Sequence, residues 1–197
     1  TISYARSKKL LTIADVKRND VGHSAEAYAN AYLGSESFNV DALTVTPYLG
    51  WDGVKPFVDA AKKNGRGVFV LVKTSNPSSG DIQDLETRDG LRVFEVVGRY
   101  VDSWGADDLG ERGYSCVGAV VGATFPKEAA RLRALMPHAF FLMPGYGTQG
   151  GGAEGVRACL NSHGLGALVN ASRSVIFSED PRAAVKKMQV ELATLLG

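Results

Sequence analysis

Two carboxylates and one ammonium group lie close together near the start of the sequence, at Asp15, Lys17 and Asp20. They follow the apolar run 10–14, which is typical of a buried strand. Side chains two residues apart on a strand share a face, so Asp15 and Lys17 should project together, with Asp20 returning from the following loop. Desolvating such a charge set is costly unless its members pair. A reactive or ligand-binding site and a surface ion pair both fit this spacing.

Further polar and glycine-rich segments follow the other strand-like runs, at 46–48, 73–77, 144–152 and 170–173. In a parallel sheet these segments lie at one end, which is where (β/α) barrels build their active sites. The last two segments are typical of a phosphate site. Glycine lets backbone N–H groups approach an anion, a helix N-terminus adds a favourable dipole, and Arg173 adds a forked donor.

Apolar runs alternate with helical patterns along the whole chain. We expect strands at 10–16, 42–46, 67–72, 116–121, 139–143 and 167–170. Helices are expected at 24–33, 53–63, 91–104, 126–136, 152–161 and 181–196, with Ser24 as the N-cap of the first. Continuous apolar strands between amphipathic helices indicate a parallel sheet covered by helices. The fold class is therefore α/β, with six βα units in one domain over residues 1–197.

Composition excludes several classes of protein. The 197 residues are 45% hydrophobic with a net charge of +1, and the basic residues are scattered, which argues against nucleic acid or a charged membrane surface as a partner. No apolar run is long enough to span a bilayer, and the first residues do not resemble a signal peptide. Cys116 and Cys159 form no CxxC pair, so we expect two reduced thiols and a soluble, cytoplasmic protein.

Residues 13–24, IADVKRNDVGHS, resemble the active-site signature of the orotidine 5′-phosphate decarboxylase family, Asp-x-Lys-x-x-Asp-Ile/Val-Gly/Pro-x-Thr, with Ser24 in place of the threonine. The segments 45–50, 74–85, 143–151 and 170–174 resemble the longer bacterial-type branch of that family. The resemblance covers essentially the whole chain in the right order. It implies a (β/α)8 TIM barrel, of which this chain supplies strands 3 to 8.

The resemblance implies a carboxy-lyase that converts orotidine 5′-phosphate to uridine 5′-phosphate in pyrimidine biosynthesis, without a metal or an organic cofactor. Loss of CO₂ leaves a carbanion at C6 of the pyrimidine. Lys17 would stabilise that charge and donate the replacing proton. Asp15 would hold Lys17 in place, and Asp20 would lie against the departing carboxylate.

The resemblance also implies which residues bind the substrate. Ser75 would hydrogen-bond the pyrimidine, while Gln149, Arg173 and the backbone at Ser172 would hold the phosphate. Ser24 would act across a dimer interface, near the ribose and the partner's Asp20. The family pattern therefore implies a homodimer with shared active sites.

The resemblance further implies a second catalytic lysine well upstream of Asp15. Lys8 and Lys9 lie too close to the motif for that role, and we expect them to be a solvated helix end. Six units cannot close an eight-stranded barrel, so this chain is expected to be the carboxyl-terminal part of a longer protein, which needs the missing amino-terminal segment.

Two other functions fit the same sequence. One is a magnesium-dependent sugar-phosphate decarboxylase or aldolase of the same fold, because the Asp-x-Lys-x-x-Asp element is shared with such enzymes. The other is a non-catalytic protein that binds a phosphate ligand, because the upstream lysine is not in this sequence.

Overall fold

Six strands form one parallel sheet in the order in which they occur along the chain. The computed structural model describes residues 1–35, 37–147 and 151–194. The strands are β1 (Ile13–Arg18), β2 (Ala42–Val45), β3 (Gly67–Lys73), β4 (Val117–Val121), β5 (Phe141–Met143) and β6 (Ala167–Val169). Each strand pairs in parallel with the next. The predicted α/β class is confirmed.

Helices connect the strands and cover the outside of the sheet. They are α1 (Ile2–Ser7), α2 (Gly22–Leu33), α3 (Trp51–Asn64), α4 (Gly80–Gln83), α5 (Val93–Gly105), α6 (Pro126–Leu135), α7 (Ala153–Cys159), α8 (Arg173–Ile176) and α9 (Pro181–Ala193). A single 3-10 turn, Pro77–Ser79, precedes α4. The expected helices are present with ends moved by a few residues, and residues 195–197 of the last one lie outside the described residues. The sequence did not indicate α4 and α8, because each has only four residues, which are too few to show a helical pattern of apolar residues.

The predicted starts of the first strand and of α2 need correction. The first strand begins at Ile13 rather than residue 10, because the Leu10 N–H still donates to the Ala5 carbonyl of α1 and Lys9 has a φ of 59°. Helix α2 begins at Gly22 with Val21 as its N-cap. Ser24 therefore lies inside the first turn and does not cap the helix. Lys8 is the C-cap of α1, and both Lys8 and Lys9 are exposed, as predicted.

The sheet separates two apolar layers. The larger layer lies between the sheet and the helices and includes Leu43, Val70, Val121 and Phe141. Alternate residues face the inside of the curved sheet, where Ala42, Phe69, Val120 and Leu142 pack together. Burial on both faces explains why the central strands read as continuous apolar runs.

The two edge strands differ from the central ones. Along β1, exposed residues alternate with partly buried ones, whereas every residue of β2 is buried. Within the described residues, β1 and β6 each pair with a single strand. Both edges nevertheless contribute to one cavity, which Ile13 of β1 and Asn170 after β6 line together. The sheet is therefore curved like part of a barrel.

A partly buried charge cluster around Asp41 fixes the start of β1 against the neighbouring strands. The Thr12 N–H and hydroxyl donate to Asp41 at 2.8 and 2.9 Å, and the Arg66 guanidinium lies 2.6 Å from its carboxylate. Burial by itself raises the pKa of Asp41. The hydrogen bonds from Thr12 and the guanidinium groups of Arg6 and Arg66 outweigh burial, so the pKa lies below its ordinary value.

Replacing Asp41 with asparagine should lower the free energy of unfolding at pH 7 by about 2 kcal/mol, because charge-assisted hydrogen bonds are lost. A carboxylate whose pKa is lowered by folding stabilises the fold above its ordinary pKa and loses that contribution as pH falls below it. The difference between the two proteins should therefore shrink below pH 3.8. Urea unfolding at pH 7 and pH 3 measures the free energy of unfolding of both proteins. Asp59→Asn, at an exposed ion pair, is the control, and an equal difference at both pH values would contradict the prediction.

The two cysteines are free thiols, as predicted. Burial raises the pKa of both Cys116 and Cys159 to about 12, so neither is a reactive thiolate at neutral pH. In the described part of the chain, no helix has the length and apolar character needed to cross a membrane.

Candidate active site

A cavity of about 760 Å³ opens at the carboxyl end of the sheet. Asp15 and Lys17 line it from β1, and Ser75 lines it from the loop after β3. Asn170 and Ser172 line it from the segment after β6. The expectation that polar segments from distant parts of the sequence meet at this end is therefore confirmed for these residues.

The Asp15 and Lys17 side chains form an ion pair on the inner face of β1. The Lys17 Nζ lies 2.6 Å from the Asp15 Oδ1, and the side chains keep 51% and 63% of their exposure. The strand continues to Arg18, so the pair lies within β1 and not after its end. Asp15 and Lys17 nevertheless project to the same face of β1, as residues two apart on a strand should. The Lys17 ammonium group therefore faces the cavity with the Asp15 carboxylate as its partner.

The backbone at Lys17 is unusual. Its φ is 46°, in the left-handed region that residues other than glycine rarely adopt. The pairing of β1 with β2 is interrupted here, since Ala14 pairs with Leu43 and Arg18 pairs with Val45. The Lys17 N–H donates instead to the hydroxyl of Thr44, at 2.9 Å. Thr44 was missed as a site residue because it reads as one β-branched position in an apolar strand.

Asp20 does not join this pair within the chain. Its carboxylate accepts a hydrogen bond from the backbone N–H of Val21, at 2.9 Å, where the chain enters α2. Ser24 is exposed on the first turn of α2. Neither residue belongs to the described lining of the cavity. The roles that the sequence assigned to Asp20 and Ser24 therefore remain predictions.

The loop that carries Ser75 is held by a buried lysine. Lys73, with 1% of its surface exposed, donates to the Ser79 hydroxyl at 3.1 Å and to the Asp84 carboxylate at 2.8 Å. Its ammonium group also lies 4.5 Å from the centre of the Phe125 ring, a favourable cation–π contact. A charge buried this deeply is stable only when it is paired. Lys73 therefore fixes the loop against the end of β3.

Two further contacts shape the same loop. The Thr74 N–H donates to the Gln83 side chain at 3.0 Å, and the Gln83 amide donates back to the Thr74 hydroxyl at 2.9 Å. Gly122 lies directly behind Ser75, where a Cβ would come within 2.8 Å of the Ser75 Cα. The glycine after β4 thus provides the space in which Ser75 approaches the cavity.

The predicted phosphate segments also lie at this end of the sheet. Ser172 is the N-cap of α8 and lines the cavity, and Arg173 is the first residue of α8, with an exposed side chain. Gly145 and Gly147 have φ values of 93° and 77°, which only glycine adopts readily. Gln149, the third predicted phosphate ligand, lies outside the described residues.

Among residues 1–35, 37–147 and 151–194, no group of three or more histidine, cysteine, aspartate or glutamate side chains is arranged to hold a metal ion.

Comparison with known proteins places this geometry in a family. The model of the orotidine 5′-phosphate decarboxylase / HUMPS family matches residues 1–188. The orotidine 5′-phosphate decarboxylase of Caldicellulosiruptor bescii is 49% identical over 183 residues, which cover 89% of this chain and 60% of that protein. The protein of the same name from Rhodopirellula baltica is 48% identical over 182 residues, which cover 90% of this chain and 60% of the relative.

A solved structure agrees with the curated relatives. The OMP decarboxylase of Leishmania donovani superimposes with a TM-score of 0.81 at 35% identity, covering 95% of this chain and 69% of that chain. This chain spans about 60% of the length of the curated relatives that it matches. The match of the family model over nearly the whole chain, together with these identities, shows that the chain belongs to the orotidine 5′-phosphate decarboxylase / HUMPS family.

Proposed function

We propose that the natural protein containing this chain decarboxylates orotidine 5′-phosphate to uridine 5′-phosphate. The observation that carries the proposal is the Asp15–Lys17 ion pair, which faces a cavity that Ser75 and Ser172 also line. An ammonium group beside a cavity that is large enough for a nucleotide is the arrangement that a carbanion intermediate needs. Family membership supports the same reaction.

In the proposed reaction, the bond between C6 and the carboxylate breaks and leaves its electron pair on C6, while CO₂ departs. The Lys17 ammonium stabilises the developing negative charge and then transfers a proton to C6. Lys17 is left as a neutral amine, which regains its proton from solvent. Asp15, 2.6 Å from the Lys17 Nζ, keeps the ammonium group in place before the transfer.

The substrate would bind between the loop after β3 and the segment after β6. Ser75 lies on the wall of the cavity near α4, where its hydroxyl can hydrogen-bond the pyrimidine. Ser172 lines the cavity from the segment after β6, and Arg173 follows it. We assign the phosphate to Ser172, Arg173 and Gln149. Binding energy gained at the phosphate then holds C6 next to Lys17.

Ser24 would serve the active site of a second subunit, and we assign Asp20 to that same site, where it would lie against the departing carboxylate, rather than to the site of its own chain. Both lie outside the cavity of their own chain, on the connection from β1 into α2. Large apolar side chains are exposed nearby, with Val21 at 48% and Tyr48, in the loop after β2, at 76%. Exposed apolar side chains of this kind often mark a surface that binds another protein subunit. We therefore propose a homodimer in which this surface meets the partner's cavity.

Further βα units would complete the barrel. The unpaired edges carry exposed apolar side chains, including Leu11 at 86% beside β1 and Leu168 at 41% on β6. An apolar groove of about 900 Å³ also runs beside β6. Two units pairing with these edges would make this chain strands 3 to 8 of one domain. They would also bring the upstream lysine that the family resemblance implies.

The test is an assay of the natural protein with orotidine 5′-phosphate. We expect stoichiometric uridine 5′-phosphate and CO₂, at the same rate with and without a chelator. Residues 1–197 expressed alone should give no product, because the edges of β1 and β6 would be open to solvent. Turnover that a chelator abolishes would favour the magnesium-dependent alternative. Binding of the nucleotide without turnover would favour a phosphate-ligand binding protein.

A further inference from the structure

The hydroxyl of Thr44 is fully buried at the interface between β2 and β1. A hydroxyl in such a position is unfavourable unless it makes hydrogen bonds. Both of its partners belong to the ion pair of β1, because it contacts the Lys17 backbone N–H at 2.9 Å and the Asp15 carboxylate at 3.0 Å. Thr44 thus contacts both residues of the proposed proton-donating pair from outside the motif.

The chemistry of the groups fixes the direction of each hydrogen bond. A backbone N–H can only donate, so the Thr44 oxygen accepts from Lys17. An ionised carboxylate can only accept, so the Thr44 hydroxyl hydrogen points to the Asp15 Oδ1. The Lys17 Nζ lies 2.6 Å from that same Oδ1 atom. The backbone of Lys17, the Thr44 hydroxyl, the Asp15 carboxylate and the Lys17 ammonium therefore form a closed ring.

The ring explains how Lys17 keeps its left-handed backbone. At a φ of 46°, Lys17 leaves the regular ladder, and the pairing with β2 is offset between Ala14 and Arg18. The Lys17 N–H would be left without a ladder partner, and the Thr44 hydroxyl replaces it. Backbone conformations of this kind persist only where the surroundings fix them.

We propose that Thr44 is a positioning residue for the proposed decarboxylation. Its hydroxyl hydrogen-bonds both the Lys17 backbone and the Asp15 carboxylate. It therefore fixes the position of the Lys17 ammonium group relative to C6. This inference rests on the proposed function. It assigns to Thr44 an effect on kcat rather than on substrate binding, because Thr44 is fully buried and is not among the described residues that line the cavity.

The experiment compares Thr44→Val, which keeps the shape but removes the hydroxyl, with Thr44→Ser, which keeps the hydroxyl, in the natural protein. Thr44→Val should lower kcat about a hundredfold, since a displacement of about 1 Å at a reacting group can cost that much, while KM changes less than about threefold. Thr44→Ser should restore kcat to within about threefold of the wild type. Thr87→Val removes another hydrogen-bonded hydroxyl, which donates to the Leu91 carbonyl, and is the control.

A second measurement does not depend on activity. Hydrogen exchange at the Lys17 amide, followed by NMR, should be at least about tenfold faster in Thr44→Val than in the wild type or in Thr44→Ser, because the amide loses its acceptor. Thr44→Ala gives the same comparison if Thr44→Val does not fold. A wild-type protein that does not turn over orotidine 5′-phosphate would refute the proposed function, and the exchange data would still decide the role of Thr44 in the ring. Equal kcat in Thr44→Val and the wild type, or equal exchange rates, would overturn the inference.

Discussion

Replacing Lys17 with alanine should lower kcat for decarboxylation in the natural protein by at least about ten-thousandfold, since proton donation and charge stabilisation are both lost. The affinity for uridine 5′-phosphate should stay within about tenfold, because the ammonium group acts mainly in the transition state. Steady-state kinetics and calorimetric titration with the product measure the two quantities. The separation between them tests the assignment of Lys17 as the proton donor.

The chain offers a closely matched control for this variant. Lys55 forms an ion pair with Asp59 on α3, and its side chain is 53% exposed, compared with 51% for Lys17. Lys55→Ala removes an equally exposed lysine from an ion pair that lies outside the cavity, so it should leave kcat unchanged. Turnover of Lys17→Ala within about tenfold of the wild type would show that another group donates the proton.

Replacing Arg173 with alanine should lower kcat/KM by a factor of about a hundred to a thousand, which corresponds to about 3 to 4 kcal/mol of lost transition-state stabilisation. The guanidinium group would hold the phosphate, a part of the substrate that does not react, and that binding energy positions the pyrimidine at Lys17. The exposed side chain and its location directly after Ser172 support this assignment. Steady-state kinetics with orotidine 5′-phosphate measure the effect.

Two comparisons make the Arg173 result specific. Arg99→Ala removes an exposed arginine from α5 and should not change kcat/KM. Activity of Arg173→Ala toward the nucleoside orotidine, which lacks the phosphate, should equal that of the wild type. If kcat/KM for the nucleotide were unchanged in Arg173→Ala, the phosphate would bind elsewhere.

The sequence by itself determined the arrangement of elements and part of the site. Central strands such as Ala42–Val45 and Val117–Val121 lie close to their predicted limits, because a strand buried on both faces leaves a continuous apolar run. The Asp15–Lys17 pair also followed from the sequence, since the period of two along a strand depends only on local geometry. The family was identifiable from the Asp-x-Lys-x-x-Asp motif and the later glycine-rich segments.

Only the tertiary structure decided which distant residues support that pair. Thr44 contacts Lys17 and Asp15 from another strand, and Gly122, directly after β4, makes room for Ser75. Both depend on the register between strands and on the curvature of the sheet, which result from packing over the whole domain. A one-dimensional pattern specifies which face of a strand is buried, but contacts between elements arise only once the strands have paired and packed into one sheet.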